Sequence, residues 1–214
     1  MNETLVKDID GNSYKTVKIG KKIWMAETLK VTQYRNGDPI PNLTDENDWQ
    51  NTEQGAYCNY DNNEDNVETY GRLYNWYAVD DKRGLAPRGW HISTDDEIKE
   101  LEMYLGLSQS EAGEDGPRGT NEGSKLANRK DLWDDGILQN NPEFGTSGFD
   151  FLPGGYRGYD DGHYGNMGYL GHFWSSTEGS TNSAWGRVLN YYYSEIYRNY
   201  YNKKDGFSVR CIKD

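Results

Sequence analysis

The residues best suited to chemistry lie in the last quarter of the chain, between Trp185 and a strand-like end at 207–212. Tyr and Asn crowd there: Asn182, Asn190, Tyr191, Tyr192, Tyr193, Tyr197, Asn199, Tyr200, Tyr201 and Asn202, with Trp185 and Arg187 among them. Tyr supplies large, stiff, amphipathic contact area at low entropic cost, and Asn supplies adaptable hydrogen bonds. That is the chemistry of recognition rather than of bond making. A second reading stands beside it: Tyr has high strand propensity, and a Tyr ladder can simply pack across an antiparallel sheet. Exposure of the side chains separates the two.

Other constellations are weaker. Asp61, Asn63 and Asp65 follow the first three ligand positions of an EF-hand loop, but Asn66 stands where the turn glycine belongs and Arg72 where the bidentate Glu belongs. Asn141, Pro142 and Glu143 read as a solvated turn. No cofactor is therefore expected, and a structural calcium ion finds no motif. His91, His163 and His172 lack the spacing of a zinc site, and Ser175 and Ser176 lie outside a nucleophile elbow. Carboxylate pairs for glycoside hydrolysis could be assembled from Asp95, Asp96 and Glu97 or from Asp160 and Asp161. The first group is accounted for by a helix N-terminus, where acids complement the macrodipole, and the second by a turn. No catalytic constellation results, so the chain is expected not to be an enzyme. Cys58 and Cys211, the only two cysteines, are too few for a Cys-ligated zinc site and too isolated for a CxxC motif. They read as one disulfide or as two buried thiols.

Composition narrows the partners. With 214 residues, 34% hydrophobic but including seven Trp and eighteen Tyr, the chain has a folded, polar-surfaced character and a core of few, bulky side chains. A net charge of −12 disfavours nucleic acid, which needs a cationic face, and an anionic membrane. No apolar run approaches the ~20 residues of a transmembrane helix. Residues 1–6 carry no basic segment followed by an apolar one, so no secretion signal is read there. Trp24, Trp76, Trp90, Trp174 and Trp185 sit among apolar or glycine neighbours and are expected in the core; Trp49 and Trp133, in polar surroundings, are candidates for stacking on carbohydrate.

The elements that must position these residues begin with strands TVKIG and KKIWMAETL, separated by Gly20 and read as a hairpin. Residues 34–49 read as loop. Tyr70, Leu73, Tyr74 and Tyr77 fall at i, i+3, i+4 and i+7, predicting a helix of roughly three turns with Thr69 as cap. Thr94 and Glu97 have capping-box spacing, and Ile98, Leu101 and Leu105 line one face of a second helix ended by Gly106. Residues 109–123, nearly devoid of apolar side chains, predict a mobile excursion. Beyond Phe144 come short strands with glycine-rich connections, including turns at Asp161-Gly162 and Asp205-Gly206. A single α+β domain over 1–214 is expected, two helices on a small, mainly antiparallel sheet.

The phrases DIDGNSYKTVKIGKKIWMAETLKV, YRNGDPIPN, GAYCNYDN, YGRLYNWYAV, GLAPRGWHISTDDEIKEL, GFDFLPGGYR, FWSSTE and GFSVRCIKD occur in order. In them the chain, from about Asp8 to Asp214, resembles the Fibrobacter succinogenes major paralogous domain family. The resemblance implies a C-type-lectin-like fold related to the formylglycine-generating enzymes, found mainly in bacterial surface lipoproteins and secreted proteins. That fold group also holds the variable proteins of diversity-generating retroelements, whose diversified codons lie near the C-terminus. The paired catalytic cysteines of the formylglycine-generating enzymes have no counterpart here, nor do the EPN, QPD and WND signatures of calcium-dependent sugar binding. The resemblance further implies that the chain ends meet, which suits a long-range disulfide between Cys58 and Cys211. The expected function is a surface-displayed module, outside a bacterial cell or on a phage particle, that recognises protein or glycan through its Tyr/Asn face. The alternatives are an enzyme acting on polysaccharide or protein side chains, and a structural surface domain without a specific ligand.

Overall fold

The computed structural model describes residues 5–214. Strands β1 (Val6–Lys7) and β2 (Ser13–Tyr14) form a small ribbon ahead of the expected hairpin, β3 (Thr16–Ile19) and β4 (Lys22–Met25). Val17 pairs with Trp24, and Gly20 turns the chain with φ +60°. Alternation along β4 sends Trp24 and Met25 into two different apolar clusters, so this short hairpin anchors both. The segment read as loop ends in helix α1 (Glu46–Asn51), capped by Asp45, which buries Trp49 completely.

The helix expected over Tyr70 to Tyr77 is instead broken into three pieces. β5 (Tyr57–Cys58) is followed by α2 (Val67–Tyr70), β6 (Leu73–Tyr74) pairs back onto β5, and α3 (Trp76–Val79) follows with Asn75 as cap. Gly71 breaks it: its φ is +74°, and a Cβ there would stand 2.7 Å from the Thr28 Cβ. Leu73 and Tyr74 are both buried, so the apolar spacing that mimicked a helical stripe belongs to a strand buried on both faces. After β7 (Trp90–Ile92) comes the second helix, α4 (Asp95–Leu105), as expected. The Thr94 side chain accepts from the Glu97 amide at 3.2 Å, and the Glu97 carboxylate accepts from the Thr94 amide at 3.0 Å.

Residues 109–123 are ordered structure rather than an excursion. They comprise α5 (Gln109–Ala112), with its own Ser108/Glu111 capping box, the edge strand β8 (Gly116–Arg118) and the start of α6 (Glu122–Leu126). Few apolar side chains are needed because the segment is held by a buried arginine, Arg118, whose guanidinium donates to Glu102 at 2.9 and 3.0 Å. A short α7 (Ile137–Asn140) precedes the main sheet.

That sheet contains β9 (Gly154–Arg157), β10 (Tyr164–Met167), β11 (Leu170–Ser180), β12 (Ser183–Asn190) and β13 (Ile196–Asn202), in the order β10-β9-β11-β12-β13-β8. β14 (Ser208–Val209) lies parallel to β11, and β15 (Cys211–Lys213) inserts between β4 and β7, so the two ends of the chain share a sheet. The fold is α+β, built of small, mainly antiparallel sheets and short helices. Phe173 and Trp174, neighbours on β11, point to opposite faces and into separate aromatic cores. All five tryptophans expected in the core are buried; Trp49 and Trp133 are buried too, which removes them as exposed stacking platforms.

Candidate functional site

The antiparallel register of β12 and β13 sorts the C-terminal residues. Trp185 lies opposite Tyr200 and Arg187 opposite Arg198, and cross-strand partners share a face. That face packs on α4. Arg187 has no exposed surface; it donates to Glu102 at 2.6 Å and to Asp95 at 2.8 Å. Arg198 donates to the other Asp95 oxygen at 2.8 Å and to Asp115 at 2.7 Å, and its guanidinium lies 3.3 Å over the Trp185 ring. Burial alone would raise the Asp95 pKa, but Arg198 and Arg187 hold its carboxyl well below the usual range. Arg187 and Trp185 are therefore corrections to the expected ligand face: the first is committed to buried carboxylates, the second to the stack between Arg198 and Tyr200. The sequence accounted for Asp95 by a helix N-terminus; its larger part is as the acid that ties β12 and β13 to α4.

The opposite face of β13 carries Tyr197, Asn199 and Tyr201, all half-buried. Tyr201 packs edge-on against Phe207 at 5.0 Å between ring centroids and against His172 at 6.0 Å. It comes close because position 186 on β12 is glycine; a Cβ there would meet the Tyr201 ring at 3.0 Å. Burial pushes the Tyr201 hydroxyl up to about 12. This tyrosine is half core, half surface.

Tyr200, over Trp185 near the end of β13, is 49% exposed, and a further exposed group lies where β12 turns into β13. Ring contacts run without a break from Tyr169 to Tyr191 (5.3 Å), Tyr192 (5.9 Å), Tyr193 (5.3 Å) and Tyr197 (6.0 Å). Tyr192 is 55% exposed and Tyr193 40%. Asn190 shapes the turn, its side-chain oxygen accepting from the Tyr192 amide at 2.9 Å. Alternation along a continuous strand would send Tyr192 away from Tyr191 and Tyr193. Residues 191–193 leave the strand, however, so alternation does not apply, and Tyr192 and Tyr193 both face solvent. Tyr169, in the β10–β11 turn, joins the ridge although nothing in its spacing marked it.

Asn182 lies just before the other end of β12, roughly 26 Å from Asn190 at ~3.3 Å per residue, so the expected residues do not form one patch. Together with Asn202, Tyr77, Tyr159, Asp160 and Lys204 it lines a polar concavity of about 450 Å³ at that end of the sheet, to which α1, α3 and the connecting loops contribute. Beside this concavity Asp205 is 8% exposed; burial pushes its carboxyl up to about 7 even though the Tyr159 amide donates to it at 3.1 Å.

Cys58 and Cys211 are free thiols, and the expected disulfide is not made. Cys58 is buried with Trp49 and Leu73, whereas Cys211 belongs to the larger cluster of Tyr74, Trp90 and Trp174. The chain ends do meet, through β4 and β15, but Cys58 sits on β5, in a different sheet. Among the described residues no three His, Cys, Asp or Glu side chains converge as a metal-ligand group, and no helix is long and apolar enough to cross a membrane.

An α+β chain with two aromatic cores and an outer tyrosine ridge is thus defined. It belongs to the Fibrobacter succinogenes major domain family, whose model matches residues 17–213. Comparison with curated proteins and with solved structures gives no match.

Proposed function

We propose that this domain is a non-enzymatic binding module of C-type-lectin-like architecture, displayed outside a bacterial cell or on a phage particle, that grips protein or glycan through its C-terminal tyrosine ridge. The observation that carries the reading is the unbroken chain of ring contacts from Tyr169 to Tyr197, in which Tyr192 and Tyr193 face solvent. Rigid, exposed aromatics are the residues that dominate association energies. The lectin-like assignment is supported by the pairing of β4 with β15, which brings the first hairpin and the last strand into one sheet. The concavity with Asn182 and Asn202 adds the chemistry that saccharide hydroxyls need, amides beside the tyrosines Tyr77 and Tyr159.

The test is to pass the domain over a glycan array and over immobilised host-cell surface protein, alongside the variant Tyr192→Ala/Tyr193→Ala. Retention of the wild type and loss in a variant with unchanged melting temperature is the expected outcome. Equal retention of both would place the site elsewhere.

A further inference from the structure

We propose that a second site, remote from the tyrosine ridge in sequence and independent of it, binds a small carboxylate with an apolar body. It is the cavity of about 320 Å³ between the first ribbon and the turn that carries Leu85 and Arg88. Its floor is Val31, Leu85, Ala86 and Pro87, all buried and held in or beside the larger core. Ile9, 46% exposed, stands at the rim.

Three cations, Lys7, Arg35 and Arg88, also line it. Arg88 is the one described arginine without a hydrogen bond or ion pair; the other nine all donate to a carboxylate or a carbonyl. Arg35 is fixed across the cavity by donating to the carbonyls of Ala86 at 2.9 Å and Trp90 at 3.1 Å, which leaves its Nη1 unengaged. Lys7 has no described partner. The single acid of the lining, Asp8, is already engaged: one oxygen accepts from the Asn12 amide at 2.9 Å, the other from the Asn12 side chain at 2.8 Å and the Tyr14 hydroxyl at 2.5 Å.

Three cations against one acid leave an excess of positive charge over an apolar floor in a chain of net charge −12, and that excess defines the ligand. A carboxylate answers the planar, paired donors of Arg88 and the unengaged Nη1 of Arg35, while an apolar body displaces water from the floor. The volume equals about ten water molecules at ~30 Å³ each, which suits a short aliphatic or aromatic acid. Inorganic phosphate would engage the cations and leave the floor wet; a neutral alcohol would do the reverse.

Titration calorimetry with octanoate, 1-octanol and inorganic phosphate tests this, using the whole chain and the variants Arg88→Gln and Lys7→Gln/Arg88→Gln. Both positions are exposed, so the melting temperature should not move. Saturable octanoate binding is expected, at least tenfold tighter than octanol or phosphate, weakened at least fivefold in Arg88→Gln and at least tenfold in the double variant. The proposal is overturned if octanoate does not saturate, if octanol or phosphate binds as tightly, or if the double variant binds octanoate unchanged.

Discussion

Glu102, without exposed surface, accepts from Arg118 and Arg187 at once, and Asp95 receives Arg187 and Arg198. Ions buried in this way are stable only as a set, because removing one partner leaves the others desolvated and uncompensated. Glu102→Gln should therefore cost about 3–5 kcal/mol, read as a lower denaturant midpoint with an unchanged slope; a loss under about 1 kcal/mol would contradict the arrangement. Two other buried groups give opposite pH signatures. Burial raises Asp205 from 3.8 to about 7, so between those values the folded chain holds a proton that the unfolded chain has released. Its contribution is undiminished below about pH 4 and lost as pH rises to 7. Burial lowers His172 from 6.5 to about 3, so its contribution is present above pH 6.5 and lost as pH falls through that window. Asp205→Asn should stabilise the fold at pH 8 by on the order of 2–4 kcal/mol and leave it unchanged at pH 4. Unfolding midpoints at the two pH values decide, and equal effects at both would refute the assignment.

Among the elements, α4 and the hairpin of β3 and β4 form where the sequence places them because their signals are local: a capping box, a terminal glycine, a turn glycine between alternating strands. The break at Gly71 and the fixing of residues 109–123 depend on distant partners, Thr28 in one case and Glu102 in the other, and periodicity carries no trace of either. The same holds for the site. Tyrosine and asparagine content marked its region, yet which side of β12 and β13 each residue faces follows from registering Arg187 and Arg198 against α4. Gly71 permits a direct test of the broken helix. Gly71→Ala would put a side chain at φ +74° and against Thr28, and should cost more than about 2 kcal/mol. A continuous helix through this position would gain stability from the same change, so the sign of the shift in melting temperature separates the two.

At the scale of the whole molecule, the meeting of the chain ends is achieved by strand pairing rather than by a covalent bond. Cys58 and Cys211 are both buried, and burial pushes their thiols up to about 11 and about 12. Neither should react with a thiol reagent until the protein unfolds, and both should then react together; a disulfide found in the native protein after air oxidation would contradict the separation of the two clusters. The fold leaves two surfaces proposed for recognition at opposite ends of β12, the tyrosine ridge and the concavity with Asn182 and Asn202. The central claim is that the ridge carries most of the binding energy. It is tested most directly by measuring the dissociation constant of whichever partner the glycan and protein screens return, for the wild type, for Tyr192→Ala/Tyr193→Ala and for Asn182→Ala/Asn202→Ala. Truncating two hot-spot tyrosines should cost at least about 2 kcal/mol, near thirtyfold in affinity, with the melting temperature unchanged, and the asparagine pair should cost less. Undiminished affinity in the folded tyrosine variant would contradict the account, as would unfolding of that variant, which would make these tyrosines part of the fold.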